Sequence, residues 1–400
     1  ACPASIGRMR LSERMDHLGT ESALALGTRV RELVAEGRDV IPLHIGEPDF
    51  DTPAHVIEAA RRAMAEGHTH YAPPLGLPSF REAIAADAAE RLGVRVEPHR
   101  VAVTPGAKPV LTYALNALLE PGDEVIVPDP GFPIYASMVR FLGAVPVPIP
   151  LRAELAYRLD LDELRALVSP RTRMIIINSP HNPTGGMLTQ GDLEGVAAVA
   201  LAHDVVVLTD EVYARLVHEG RHYSLLQVEG MAEHTIVLDG LSKTYAMTGW
   251  RLGWAIVPAA LVEPFERQII NSVTSTATFA QVAGAAALSG PQEPVAAMLA
   301  EFGARRKLMA AGLGELPGMR ATASPGAFYV FPDVSGTGFD GATFARRMLE
   351  EAGVSMVAGT DFGDVASDHV RISYANSQAN LAIALDRMAA FLETERTASR

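Results

Sequence analysis

The stretch LSKTYAMTGWRLGW (residues 241–254) decides how this chain is read. It follows VLDG (237–240), an apolar run that reads as a strand entering a loop, so Lys243 falls at a strand carboxyl end. A lone lysine in such a place is ordinarily a solvated strand-end residue. Here small and polar residues flank it, and Arg251 follows in a Gly-Trp-Arg-x-Gly turn. A lysine amine condenses with aldehydes and moves protons. An arginine fork binds phosphate or carboxylate. Three further motifs complete the set: NPTGG (182–186), TDEVY (209–213) and RISYA (371–375). They add the amide of Asn182, the carboxylate of Asp210, the hydroxyl of Tyr213 and the guanidinium of Arg371.

Outward from Lys243, short apolar strands alternate with helical patterns. Strands are predicted at 101–103, 124–128, 144–148, 174–178, 205–209 and 235–239, and helices at 108–119, 133–141, 161–167 and 190–203. MIIIN (174–178) and VVVLT (205–209) are nearly continuous apolar runs, as strands covered on both faces require. The alternation implies a doubly wound α/β unit with its functional loops at the strand carboxyl ends. TPGAK (104–108) follows a strand and opens a helix, which concentrates free backbone amides suited to an anion.

Toward the N-terminus, residues 21–37 read as a helix closed at Gly37, and 41–50 as a strand and loop. Thr52 is expected to cap a helix with Pro53 in its first turn, an apolar stripe of Val56, Ile57, Ala60, Ala63 and Met64, and Gly67 as its stop. Another helix follows YAPPLGLP (71–78), with Phe80, Ile84 and Ala88 inward. Beyond about Ala287 the pattern becomes α+β. A helix is expected at 292–314, strands at 319–323 and 326–333, a helix at 344–353, a strand at 370–374 and an amphipathic helix at 381–395.

Four hundred residues, 48% hydrophobic and 20% charged, suit one large unit or two domains with a substantial core. A net charge of -13 argues against nucleic acid or an anionic membrane as the main partner. Cys2 is the only cysteine, which excludes an intrachain disulfide and a cysteine-based metal site. No apolar run reaches membrane-spanning length, and the first residues lack the apolar core of a signal segment. A cytoplasmic location is expected. No complete GxGxxG occurs, so a nicotinamide-binding reading is poor.

Taken in order, the motifs resemble those of fold-type I pyridoxal-phosphate enzymes, specifically the class I/II aminotransferases near the aspartate aminotransferase family, from about Ile41 to Arg387. The resemblance implies a large, mainly parallel-sheet cofactor domain (51–290) and a smaller α+β domain (1–50 with 291–400), with the site between them. It implies that Lys243 anchors the cofactor covalently and moves the substrate Cα proton. Asp210 would keep the ring nitrogen protonated, while Tyr213 and Asn182 would contact the ring 3′ oxygen. Phosphate ligands would come from Gly106, Ala107 and Lys108, through backbone amides, together with Ser242 and Arg251. The Lys108 side chain is either a further ligand or a solvated first-turn residue. Many relatives carry a serine where this chain has Gly240, so one phosphate contact differs. Phe132, in DPGFPIY, matches the residue that stacks on the ring, while Tyr135 either borders the pocket or packs in the core.

On the substrate side, the resemblance gives Arg371 the α-carboxylate, with Asn182 beside it and Gly46 bringing backbone close. Tyr71 matches a tyrosine that reaches the phosphate of a neighbouring subunit, which implies a homodimer with shared sites; the alternative is a loop aromatic within one subunit. Aspartate or another amino acid would be the donor, with a 2-oxo acid such as 2-oxoglutarate as acceptor. His17, Arg14 and Arg29 either approach the pocket or face solvent, and Phe132 with TSTATF (274–279) leaves room for neutral or aromatic side chains. The same chemistry at Cα also serves a lyase or an oxidase, so these residues fix the bond attacked better than the product formed.

Overall fold

Consecutive residues of a strand point to opposite faces, and the MIII run uses both. Met174 and Ile176 join one buried apolar cluster with Val125, Leu208 and Leu238. Ile175 and Ile177 join another with Ile126, Val196 and Val207. Burial of each such side chain contributes roughly 1.5–3 kcal/mol, which explains why no polar residue interrupts the run. The computed structural model in which this is seen describes residues 10–20 and 22–398. Cys2 and the segment before Arg10 lie outside the described residues.

The strands are, in chain order, β1 (Ile41–Pro42), β2 (Val101–Thr104), β3 (Glu124–Asp129), β4 (Val145–Pro150), β5 (Thr172–Asn178), β6 (Val206–Asp210), β7 (Thr235–Gly240), β8 (Gly253–Ile256), β9 (Tyr329–Val330), β10 (Val354–Ser355), β11 (Val357–Ala358) and β12 (Val370–Ser373). A seven-stranded sheet has the order β2-β8-β7-β6-β5-β3-β4. Only β8 runs against its neighbours; the remaining pairings are parallel. The carboxyl ends of β2, β3, β5, β6 and β7 therefore share one edge. TPGAK, DPGF, the NPTGG loop, DEVY and LSK follow those five ends. This is the α/β architecture expected of a fold-type I enzyme.

The N-terminal strand meets the C-terminal region: β1 pairs in parallel with β10, Ile41 opposite Val354. Beside it β9, β12 and β11 form an antiparallel sheet. Leu43, Phe302, Phe328, Val354, Ile372 and Met388 belong to one buried cluster, so residues before 50 and after 290 share a core.

Most predicted elements fall within two residues of their observed limits, as helix boundaries ordinarily do. The exceptions have physical causes. Thr52 does not cap the helix Ala54–Ala65; Pro53 occupies the cap position. The Thr52 hydroxyl instead donates to the Ala246 carbonyl (2.8 Å) and accepts from the Trp250 indole (3.0 Å), tying this segment to the turn after Lys243. Ile57 and Met64 are nearly half exposed, and Ala59 takes the inward place. The expected strands 319–323 and 326–333 shrink to β9 and isolated bridges of Arg320 with Asp333, Gly326 with Val217 and Asp333 with His369. The helix expected over 344–353 is Gly341–Arg347 followed by a π-turn, Met348–Ala352. Strand β8 and the helices Val262–Ser272 and Thr278–Ser289 had no prediction. β8 is only four residues long and is interrupted at its start by glycine, which carries little periodic signal.

Candidate active site

The five strand ends and the small-sheet strand β12 bring the motif residues together. Lys243 lies in a four-residue helix, Leu241–Thr244, directly after β7. Its ammonium donates to the Gly46 carbonyl at 2.5 Å. Two residues earlier, the His44 carbonyl accepts from Arg371 at 2.6 Å. One short backbone segment therefore holds both cations. Arg371 also donates to the Asn182 side-chain oxygen at 3.0 Å, and its guanidinium lies over Tyr329 and Phe362, 4.7 and 4.9 Å from the ring centroids. Among the described residues its buried Nε has no hydrogen-bond partner. Asn182 is set by Asn178, whose side-chain oxygen accepts from the Asn182 backbone N–H at 2.7 Å and whose amide donates to the Pro180 and Asp210 carbonyls.

Asp210 ends β6 and is buried. Its carboxylate accepts from the Tyr135 hydroxyl at 2.6 Å and from the Val212 N–H at 3.2 Å. Burial pushes its pKa up to about 6, although both hydrogen bonds and the charge of Lys243 pull the other way. Tyr135 therefore packs in the core, as one of its two expected places had it, and adds a hydroxyl bond to Asp210. It is fully buried, with its hydroxyl spent on Asp210. Its spacing from Phe132 carried no signal for that bond. The two rings meet edge to face, with centroids 5.5 Å apart. The Lys108 ammonium lies over the Phe132 ring at 5.6 Å.

Between β2 and the helix Lys108–Leu118, Gly106 has φ +87°, a left-handed conformation that side chains disfavour. A Cβ there would overlap the Arg251 guanidinium. Arg251 is itself left-handed (φ 52°) and is braced on the Thr248 carbonyl at 2.7 Å; such strain costs roughly 1–3 kcal/mol and collects at functional sites. A Cβ at Gly253 would come within 2.5 Å of the Gly106 and Ala107 backbone. At Gly240 it would meet the Leu252 carbonyl at 2.9 Å and the Gly253 Cα at 3.1 Å. Gly240 pairs with Gly253 across β7 and β8, and the two strands approach there too closely for a Cβ at Gly240 without adjustment. Ser242 is half-buried beside this cradle, and Arg251 is exposed in the single chain.

Tyr213 is buried and its hydroxyl lies 2.7 Å from that of Tyr329. Tyr71 is 85% exposed, in a loop pinned by the bonds of Ala72 to Ser275 and of Thr278 to the His70 carbonyl. The N-terminal cations go elsewhere. Arg29 pairs with Glu350 at 3.0 Å, Arg14 lies over Phe141, and His17 is exposed. Sequence reasoning missed Asn178 and Tyr329 and the bond of Tyr135 to Asp210, all of which depend on contacts between elements.

Among the described residues no helix is long and apolar enough to cross a membrane. The sequence profile of the family Aminotransferase class I and II matches residues 38–388. The chain is 40% identical to an aspartate aminotransferase of Pyrococcus abyssi, over 97% of this chain and 100% of that one. It is 42% identical to an aspartate/prephenate aminotransferase of Thermus thermophilus, over 96% and 98% of the two chains. The solved structure of the Thermus thermophilus aspartate aminotransferase with maleate superposes with a TM-score of 0.92 at 41% identity, covering 96% of this chain and 100% of that one. Profile, relatives and architecture agree on transamination over the lyase and oxidase outcomes, and the chain belongs to the class I and II aminotransferases, enzymes that use pyridoxal phosphate to move an amino group from an amino acid to a 2-oxo acid.

Proposed function

We propose that this aminotransferase takes aspartate as donor and 2-oxoglutarate as acceptor, with Lys243 as covalent anchor and proton carrier and Arg371 as carboxylate clamp. The observation that carries this reading is the shared segment 44–46, which accepts hydrogen bonds from both Lys243 and Arg371. An amine and a carboxylate fork facing the same backbone suit a substrate whose amino and carboxyl groups share one carbon.

The cofactor fits the residues present. Gly106 leaves only the room that the Arg251 guanidinium fills, beside a helix N-terminus, which suits a phosphate held by Gly106, Ala107, Lys108, Ser242 and Arg251. Asp210 is a buried acid held in place by Tyr135, which suits a ring nitrogen, with Phe132, Asn182 and Tyr213 as the other ring contacts. When bound, pyridoxal phosphate supplies an aldehyde for attachment and a ring that accepts the electron pair of the Cα–H bond. The protein does the rest. Asp210 holds a proton at the ring nitrogen, and its charge is worth more in this buried site than in water. Arg371 fixes the α-carboxylate and so the direction of the Cα–H bond. Lys243, once released from its anchoring role, would take the substrate Cα proton and hold it for return. Tyr213 and Asn182 hold the 3′ oxygen.

A dicarboxylate needs a second cation, and Lys108, over the face of Phe132, is our candidate for it. Aromatic donors are the second reading, supported by the half-buried Phe132 ring just past the end of β3. We further assign the units 51–290 and 1–50 with 291–400 to closure around substrate, and a cytoplasmic homodimer in which Tyr71 reaches the partner's phosphate. The exposure of Tyr71 and Arg251 in the single chain supports that sharing. Mixed dimers of Tyr71→Phe and Lys243→Ala chains should then recover one working site. A matrix of donors and acceptors read by product mass tests the substrate assignment. Aspartate with 2-oxoglutarate should lead, and Lys108→Met should weaken acidic donors selectively. Neutral or aromatic donors leading in both proteins would refute it.

A further inference from the structure

Tyr329 touches three parts of the site that the sequence treats as separate. Its hydroxyl lies 2.7 Å from that of Tyr213, and the rings meet edge to face with centroids 5.7 Å apart. Its ring face lies 4.7 Å from the Arg371 guanidinium carbon. Its hydroxyl also packs so closely on Gly46 that a Cβ there would overlap it. The residue is 1% exposed and is fixed from behind, because its backbone carbonyl accepts from the Ser324 hydroxyl at 2.7 Å and β9 pairs with β12, Tyr329 opposite Ser373.

A tyrosine hydroxyl carries one proton. Between Tyr213 and Tyr329 only one of the two protons lies in the bond. If Tyr213 donates to Tyr329, it has nothing left to donate to the cofactor. If Tyr329 donates, the Tyr213 proton is available, and accepting a bond strengthens Tyr213 as a donor. The ring acts separately. An aromatic face attracts a guanidinium and favours stacking on it. The other Arg371 bonds, to Asn182 and to the His44 carbonyl, engage its terminal nitrogens.

We propose that Tyr329 is a positioning residue with two separable duties: its hydroxyl donates to Tyr213 and so commits the Tyr213 proton to the cofactor 3′ oxygen, and its ring holds the Arg371 guanidinium in the plane that receives the substrate carboxylate. This rests on the roles assigned above to Tyr213 and Arg371. Tyr329→Phe and Tyr329→Leu separate the duties in the cofactor-loaded enzyme. One readout is the pH at which the bound cofactor's absorbance titrates. The other is the ratio of kcat/KM for an amino acid to that for the amine lacking its carboxylate.

Weaker donation to the 3′ oxygen destabilises its anion, so Tyr329→Phe should move the absorbance midpoint up, by about half a pH unit. Its carboxylate preference should fall less than that of Tyr329→Leu, which should lose about 3- to 30-fold. A midpoint unmoved in Tyr329→Phe overturns the hydroxyl duty, and equal losses of preference in the two variants overturn the ring duty. If Tyr329→Leu does not fold, Tyr329→Phe decides alone: a raised midpoint with less than a 3-fold loss of preference supports the proposal, and any other result overturns it. Tyr213→Phe and Arg371→Lys serve as controls. If Tyr213→Phe leaves the midpoint in place, or Arg371→Lys leaves the preference intact, the fault lies in the roles given to those residues rather than in Tyr329.

Discussion

Replacing Asp210 by asparagine should make the cofactor-free protein more stable at neutral pH and the loaded enzyme worse. In the folded chain Asp210 titrates near about 6, against an ordinary value of 3.8, because burial disfavours its charge. A folded-state pKa raised in this way contributes stability that is fully present below about 3.8 and is lost as pH rises through about 6. The gap corresponds to about 3 kcal/mol. An asparagine does not ionise and keeps an oxygen for the Tyr135 hydroxyl, so it escapes that loss. The assay is the urea midpoint of stripped parent and variant at one fixed protein concentration, from about pH 4.5 to about pH 8. The difference should grow in favour of asparagine from about pH 4.5 to about 6 and level off above that, a change of about 2 kcal/mol over the range assayed. Carboxylates remote from Asp210 titrate alike in both proteins and cancel, and Glu211 is the one carboxylate coupled to it. With cofactor bound the order should reverse, because an amide cannot keep a ring nitrogen protonated. Tyr135→Phe supplies the cross-check: it removes a donor to the carboxylate, so Asp210 should titrate higher still. A stability difference that stays flat from acid to neutral pH would refute the argument that Asp210 is a buried charge kept for function.

The other predictions concern single contacts. Arg371→Lys should lower kcat/KM for amino acids about 100-fold or more, because an ammonium lacks the two-donor fork and the Asn182 and His44 bonds cannot both be kept; kinetics against the matching amines will show whether the loss follows the carboxylate. Gly106→Ala should weaken cofactor binding, measured by titrating the stripped protein, because its Cβ would displace Arg251 and its φ of +87° is strained for alanine. Gly46→Ala should lower kcat, and adding Tyr329→Phe should recover part of the loss by removing the hydroxyl that the new methyl meets; a purely additive double variant would count against that contact.

The sheet was legible because its strands are buried on both faces and read as unbroken apolar runs, MIII and VVVL above all. The positions of Lys243, Asp210 and Asn182 at strand ends followed from the same pattern. The α+β region was less legible. Residues 319–333 hold apolar side chains without pairing as strands over most of their length; Met319, Phe328 and Val330 reach the core of that region from short or irregular backbone. Thr52 looked like a cap because its local sequence permits one, but the turn at 246–250 competes for its hydroxyl and wins. In the site, each motif named its own residue and none named its neighbours. Tyr135 on Asp210 and Tyr329 on Tyr213 join residues 75 and 116 positions apart, which no local spacing encodes, and Asn178, only four residues before Asn182, shows its role through its further bond to the Asp210 carbonyl. At Gly240 the sequence shows a glycine, and only the fold shows the close approach of Gly253 opposite it.

The central claim is that these strand ends converge on Lys243 as the group that binds the cofactor covalently. Borohydride reduction of the loaded enzyme, followed by digestion and peptide mass analysis, tests it directly. The account predicts one cofactor-sized adduct per chain, on the peptide carrying Lys243, and none on Lys108 or Lys307. A reduced adduct on another lysine with Lys243 unmodified would contradict it, whatever the enzyme's activity.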